Sequence, residues 1–151
     1  MFGVMTDKQI LEYIKEHKLI AVNFKEKNLT PNGYDLSAKI VNFTRLEDGK
    51  NNFKVMTDEY LKIPNNVVAR MYLKSRYCRK GVWGSFGFID AGFEGALEFT
   101  LFNFPIEEFA GNDNPIPLVQ IVFETLNEEV IENYSKRSGN FQFTGLDWAS
   151  L

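Results

Sequence analysis

The sequence predicts an all-β protein, an antiparallel barrel or jelly roll with one short helix at its start. Many short apolar runs separated by turn residues carry that expectation, together with a single amphipathic stretch near the N-terminus. Fourteen phenylalanines, six tyrosines and two tryptophans supply bulky apolar area suited to strands. At 151 residues the chain reads as one domain, residues 1–151, long enough to bury a sizeable core. It shows no internal repeat, low-complexity tract or interdomain linker.

The helix comes first. Thr6 stands three residues before Gln9, a capping-box spacing, and Ile10, Leu11 and Ile14 recur on one face, so residues 7–17 should be helical. His17 near its end suits the dipole when protonated and is expected to be a surface residue. Leu19 to Phe24 reads as a strand, and Thr30-Pro31-Asn32-Gly33 is turn chemistry. Tyr34, Leu36 and Ala38 then alternate with Asp35, Ser37 and Lys39, which places the carboxylate and hydroxyl opposite the aromatic face.

Residues 45–52 form a charged turn between strands, and Phe53–Met56, Tyr60–Ile63 and Val67–Leu73 continue the β pattern. The last of these delivers the chain to Lys74-Ser75-Arg76, where YCRKG supports one helical turn ended by Gly81. Val82 to Phe88 reads as a hairpin, Asp90-Ala91-Gly92 as a turn, and Ala96–Phe104 and Leu118–Leu126 as strands. Residues 105–117 are a polar, proline-rich loop, and the tail is glycine-dotted and aromatic without a regular period.

Composition excludes some chemistry. A formal net charge of -3 offers no general attraction to nucleic acid, so basic character must be local. With one cysteine, Cys78, no intrachain disulfide forms, and no membrane-length apolar run appears; the chain reads as cytoplasmic. One His and one Cys cannot build the Cys-rich zinc site of the zinc nucleotide deaminases within the chain.

The basic cluster is Lys74, Arg76, Arg79 and Lys80, interleaved with the hydroxyl of Ser75 and followed ten residues later by the isolated Asp90. Cations beside one carboxylate suit a polyphosphate ligand and a positioned water, whereas the plainer reading is a solvated basic loop leading into a hairpin. The order Ser75, Arg79, Gly81, then Gly87, Ile89, Asp90, Gly92, Phe93, Gly95 and Leu-Phe-Asn at 101–103 resembles the trimeric dUTPase and dCTP deaminase superfamily. LTPNGYDLSAK, PIPLVQIVFETL and KRSGNFQFTG resemble further motifs of that superfamily in its order. The likeness implies a distorted jelly roll, a homotrimer and a role in nucleotide metabolism.

It also implies roles for particular residues. By the resemblance, Asp90 is the catalytic carboxylate, accepting from the deoxyribose 3′-hydroxyl and orienting or deprotonating the attacking water. Phe93 packs on the sugar, with a core phenylalanine as the alternative. Ser75, Arg79 and Gln120 contact phosphates, Lys74 and Arg76 add positive field, and Gly87 lets backbone approach the base. Arg137, Phe141 and a flexible arm over residues 135–151 close over the ligand, Phe141 stacking on the base. Asp35 holds a water of Mg2+ bound to the triphosphate, or is simply a turn carboxylate satisfying backbone amides.

Two departures set the expected reaction. The deaminases of the superfamily carry a glutamate ten residues after the motif aspartate, where this chain has Thr100, and a threonine hydroxyl is no general acid or base near neutral pH. Glu98 lies two residues earlier, a displacement of roughly 6.6 Å along a strand, too far for the same geometry. The segment between Gly81 and Asp90 is also shorter than usual. The expected function is therefore a magnesium-dependent dUTP hydrolase giving dUMP and pyrophosphate. The alternatives are a metal-independent dCTP deaminase and an inactive deoxynucleotide-binding protein of the same fold. Expected partners are a deoxynucleoside triphosphate (dUTP or dCTP) and two further copies of the chain, with no nucleic acid and no membrane.

Overall fold

The structure, a computed structural model, describes residues 2–45, 51–108, 115–137 and 139–146. Strand β1 (Gly3–Val4) leads into helix α1 (Asp7–His17). The helix starts where the spacing predicts: Thr6 Oγ1 accepts from the Gln9 amide at 3.3 Å and Gln9 Oε1 accepts from the Thr6 amide at 3.1 Å. Such a cap stabilises a helix start by about 1 kcal/mol. The helix stops at Lys18, in the left-handed region, and seats Ile10 in the core with Tyr13 and Ile14 packed against it.

Two antiparallel sheets follow. The larger runs in the order β1, β11 (Ile116–Thr125), β4 (Gly33–Arg45), β5 (Asn51–Thr57), β10 (Glu98–Phe102), β8 (Trp83–Ser85). β7 (Val67–Leu73) also pairs with β11, and β3 (Leu29–Thr30) with β4. The smaller sheet is β2 (Ile20–Val22), β6 (Tyr60–Lys62), β9 (Glu94–Gly95). The curled larger sheet makes the distorted jelly roll that the sequence predicts. No described helix is long and apolar enough to cross a membrane.

Alternation along the strands builds the core. Tyr34, Leu36 and Ala38 face inward from β4, Phe53 and Val55 from β5, Phe99 and Leu101 from β10, and Ile121 and Phe123 from β11. Phe53 is fully buried, edge-on to Phe104 at 6.0 Å, and Phe104 in turn meets Tyr77 at 5.1 Å. Ser37 departs from the expected outer face and is buried. Its amide donates to both carboxylate oxygens of Glu59, at 2.9 and 3.1 Å, and the Glu59 side chain is sealed inside with it. Burial pushes that carboxyl up to about 7, the Ser37 amide opposing the rise.

The segment Val82–Phe88 does not turn back on itself as the expected hairpin. Trp83–Ser85 pairs instead with β10, because aromatics here dock across the sheet: Trp83 stacks on Phe102 at 4.5 Å, and the next residue along, Phe86, meets Phe99 at a tilt at 5.3 Å. Beyond it, Ile89 and Ala69 exchange two backbone hydrogen bonds of 3.0 and 3.1 Å, which pins the chain immediately before Asp90. The following turn needs Gly92, at φ 89°, since a Cβ there would fall 2.4 Å from the Asn133 Cβ.

Candidate functional site

Two cavities collect most of the predicted residues, and they share no lining residue. The first, about 320 Å³, is lined by Thr30, Asp35, Lys74, Ser75, Arg76 and Gln120. The sheet brings these together: Gln120 on β11 lies opposite Asp35 on β4 and opposite Tyr72 on β7, and β7 ends one residue before Lys74. The Lys74 amide donates to the Leu118 carbonyl at 3.1 Å, and its ammonium donates to Asp35 Oδ2 at 2.6 Å. Gln120 Nε2 donates to Thr30 Oγ1 at 2.9 Å. Lysine, arginine, a serine hydroxyl and an amide around one small cavity can meet several phosphate oxygens at once.

Beyond Lys74 the chain forms the short helix α2 (Ser75–Cys78). Arg76 lies over the Tyr77 ring at 4.9 Å and reaches Glu108 Oε2 at 3.3 Å, while Lys80 reaches Glu108 Oε1 at 2.7 Å. The Lys80 hydrogen bond and charge, with Arg76 beside it, hold the Glu108 carboxyl below its usual range. Arg79 ends α2, is exposed and is not among the residues lining this cavity.

The second cavity, about 630 Å³, is lined by Asp90, Phe93, Gly87 and Phe141 of the expected set, with Lys54, Phe88, Glu98, Tyr134 and Thr144. Phe93 is buried and meets Tyr134 edge-on at 5.4 Å. Phe88 is exposed beneath the Arg70 guanidinium at 5.4 Å, and Arg70 is itself tied to Glu124 at 2.7 Å. Phe141 is 71% exposed, a ring face available to a planar partner. Glu98 lies 3.4 Å from Lys54, whereas Thr100 is not among the lining residues. Aromatic walls with two carboxylates, Asp90 and Glu98, among them suit a nucleoside. Arg137 does not line the second cavity: it pairs with Glu132 at 3.3 Å and lines a third, of about 620 Å³, that shares Asp90 and Tyr134 with the second.

A family model described as dCTP deaminase-like matches residues 50–126, more than half of the chain and the stretch that carries Lys54, the basic cluster, Asp90, Glu98 and Gln120. The chain belongs to the dCTP deaminase-like family. This bears out the resemblance to the dUTPase and dCTP deaminase superfamily.

Among relatives of this dCTP deaminase-like chain, the dCTP deaminase of Thermococcus sibiricus is 34% identical over 119 residues, 70% of this chain and 74% of that one. The dCTP deaminase of Pyrococcus horikoshii is 31% identical over 139 residues, covering 79% and 81%. A probable deoxyuridine 5′-triphosphate nucleotidohydrolase of Sulfolobus islandicus rod-shaped virus 1 is 30% identical over 112 residues, covering 65% and 70%. The fold also matches the crystal structure of 2′-deoxycytidine 5′-triphosphate deaminase from Agrobacterium tumefaciens, with TM-score 0.60 and 18% identity. That alignment spans 82% of this chain and 48% of the other.

In this dCTP deaminase-like chain a magnesium ion would find one carboxylate in the first cavity, Asp35, with one oxygen already on Lys74. Among the described residues no three His, Cys, Asp or Glu side chains gather as a ligand set. The donors therefore fit an ion carried in by phosphates and touched through water, not one the protein holds by itself. Lys54 and Tyr134 were not legible as site residues, since an exposed lysine on a strand and a tyrosine in an irregular tail carry no spacing signal.

Proposed function

We propose that this chain binds a deoxynucleoside triphosphate and deaminates dCTP, giving dUTP and ammonia. The single observation that carries the proposal is that Glu98 lines one cavity with Asp90 and Phe93. The displacement along the strand that argued against Glu98 leaves it facing the nucleoside cavity. Both relatives quoted above that cover at least 70% of each chain are dCTP deaminases, which supports deamination over the expected dUTP hydrolysis.

The chemistry follows from the walls. Phe141 stacks on the cytosine ring, Phe93 packs on the sugar, and Asp90 accepts from the 3′-hydroxyl, which fixes the ring beside Glu98. Water attacks C4 while Glu98 takes one of its protons and passes it to N3; Glu98 then carries the remaining hydroxyl proton to the exocyclic amine, the C4–N4 bond breaks, ammonia leaves, and a C4 carbonyl beside N3–H remains. Lys74, Ser75, Arg76 and Gln120 bind the phosphates, joined by Arg79 from the end of α2. Asp35 would hold, through water, a magnesium ion carried by the triphosphate, and that ion would offset phosphate charge. Because the phosphate and nucleoside cavities share no lining residue, we place the complete site between copies of the chain, in a closed homotrimer.

A second reading, dUTP hydrolysis to dUMP and pyrophosphate, is favoured by Thr100 in the motif position and by the viral relative. Separate incubation with dCTP and dUTP distinguishes them. Ammonia from dCTP is the expected result; pyrophosphate from dUTP without ammonia from dCTP selects hydrolysis instead.

A further inference from the structure

Beside the nucleoside cavity, residues 139–146 fold back onto β9 through contacts centred on a residue with no expected role. Gln142 Oε1 accepts from the Glu94 amide at 2.9 Å, and Gln142 Nε2 donates to the Gly92 carbonyl at 3.1 Å. One side-chain amide thus grips the backbone on both sides of Phe93. The amide serves both contacts at once, offering an acceptor to the N–H and a donor to the carbonyl.

Neighbouring bonds fix the same segment. The Phe143 amide donates to the Glu94 carbonyl at 2.7 Å, and the Ala96 amide to the Thr144 carbonyl at 2.7 Å. The Phe141 amide donates to the Tyr134 hydroxyl at 2.8 Å, and the Tyr134 ring meets Phe93 edge-on. Gly95 permits this approach: at φ 154° it has no side chain, and a Cβ would lie 3.0 Å from the Thr144 amide and 3.1 Å from the Phe93 ring. Together these links tie the segment carrying Phe141 to the strand beside Phe93, the two rings expected on base and sugar.

We propose that Gln142 is a positioning residue that sets Phe93 and Phe141 at a fixed separation, so that residues 139–146 form a wall of the nucleoside site. The proposal rests on the reading that this cavity takes the nucleoside half of a deoxynucleoside triphosphate. Gln142 touches no reacting atom; its effect falls on binding.

The test uses the full chain and two substitutions. Gln142→Met keeps the side-chain length and removes both hydrogen bonds; Gln142→Glu keeps the acceptor and sets a carboxylate against the Gly92 carbonyl. Each should raise KM for dCTP about ten-fold, the effect of losing one or two ordinary hydrogen bonds, with kcat changed less than about two-fold. Cooperative thermal melting should be retained. Unchanged KM in both variants overturns the inference and leaves the reading of the site intact. Loss of cooperative melting in both overturns it too, because the amide then serves the fold rather than the site. If the unaltered chain neither binds nor turns over dCTP or dUTP, the reading itself fails and the inference with it.

Discussion

Asp35 and Lys74, 39 residues apart in sequence, close an ion pair of 2.6 Å between strand β4 and the exit of β7, with side chains 18% and 29% exposed. The pair ties the lysine ammonium to the cavity that both residues line. Lys74→Met should therefore weaken dCTP or dUTP binding by about ten-fold or more, the scale of one charge-assisted hydrogen bond, and flatten the salt dependence of binding. Isothermal titration at two salt concentrations measures both; undiminished affinity would remove Lys74 from the phosphate site.

Asp90→Asn should abolish turnover while leaving the fold in place. The pinning bonds between Ile89 and Ala69, and the Gly92 amide bond to the Ile63 carbonyl at 3.0 Å, are backbone contacts that the substitution does not touch. Steady-state rates beside a melting curve check the pair of outcomes. Substantial residual turnover would take Asp90 out of the chemistry.

Glu98→Gln separates proton transfer from binding. Ammonia release from dCTP should fall by about 10²–10⁴-fold, the usual contribution of a general acid or base. Stabilisation of the protein by dCTP should persist, because the aromatic walls and phosphate contacts remain. Undiminished ammonia release would reassign the proton carrier.

Much of this arrangement was legible because local rules decide it. The capping box at Thr6 and Gln9 fixed the helix start, and alternation at Tyr34, Leu36 and Ala38 fixed an inward face. Asp35, Lys74, Ser75, Arg76 and Gln120 were nameable from motifs, and the sheet register gathers them. What escaped depends on long-range pairing. Trp83–Ser85 looks like half of a hairpin until Phe102 is known to lie across from it. Ser37 reads as an outward hydroxyl until Glu59, 22 residues away, is seen to cover it. Glu98 seemed misplaced on strand arithmetic alone, since spacing cannot report which strand positions open onto a cavity.

Glu59 gives a pH dependence of stability. Its carboxyl rises from 4.5 to about 7 on folding, so the folded chain holds a proton that the unfolded chain releases between those values. The folded state then binds more protons, and stability should fall as pH rises from about 4.5 to 7, levelling above it, by an amount on the order of 3 kcal/mol. Thermal melting across that range should show the slope, and Glu59→Gln should flatten it. A slope equal in both proteins would place the titration elsewhere.

The shared-site model predicts complementation. Inactive Asp90→Asn and Ser75→Ala chains, mixed after dissociation, should recover part of the activity, since some sites then draw both intact residues from different copies. Light scattering should show three chains. A monomer at working concentration, or mixtures that never recover turnover, would contradict the model.

The fold-back of residues 139–146 also bears on solubility. β9 is the last strand of the small sheet, and Phe143 and Thr144 take up backbone groups of Glu94 and Ala96 along its free side. An uncovered strand edge is a template for pairing with other chains. Cutting the chain after Arg137 would uncover that edge next to Phe93 and Ala96. The shortened protein should then self-associate more readily as concentration rises, which light scattering measures.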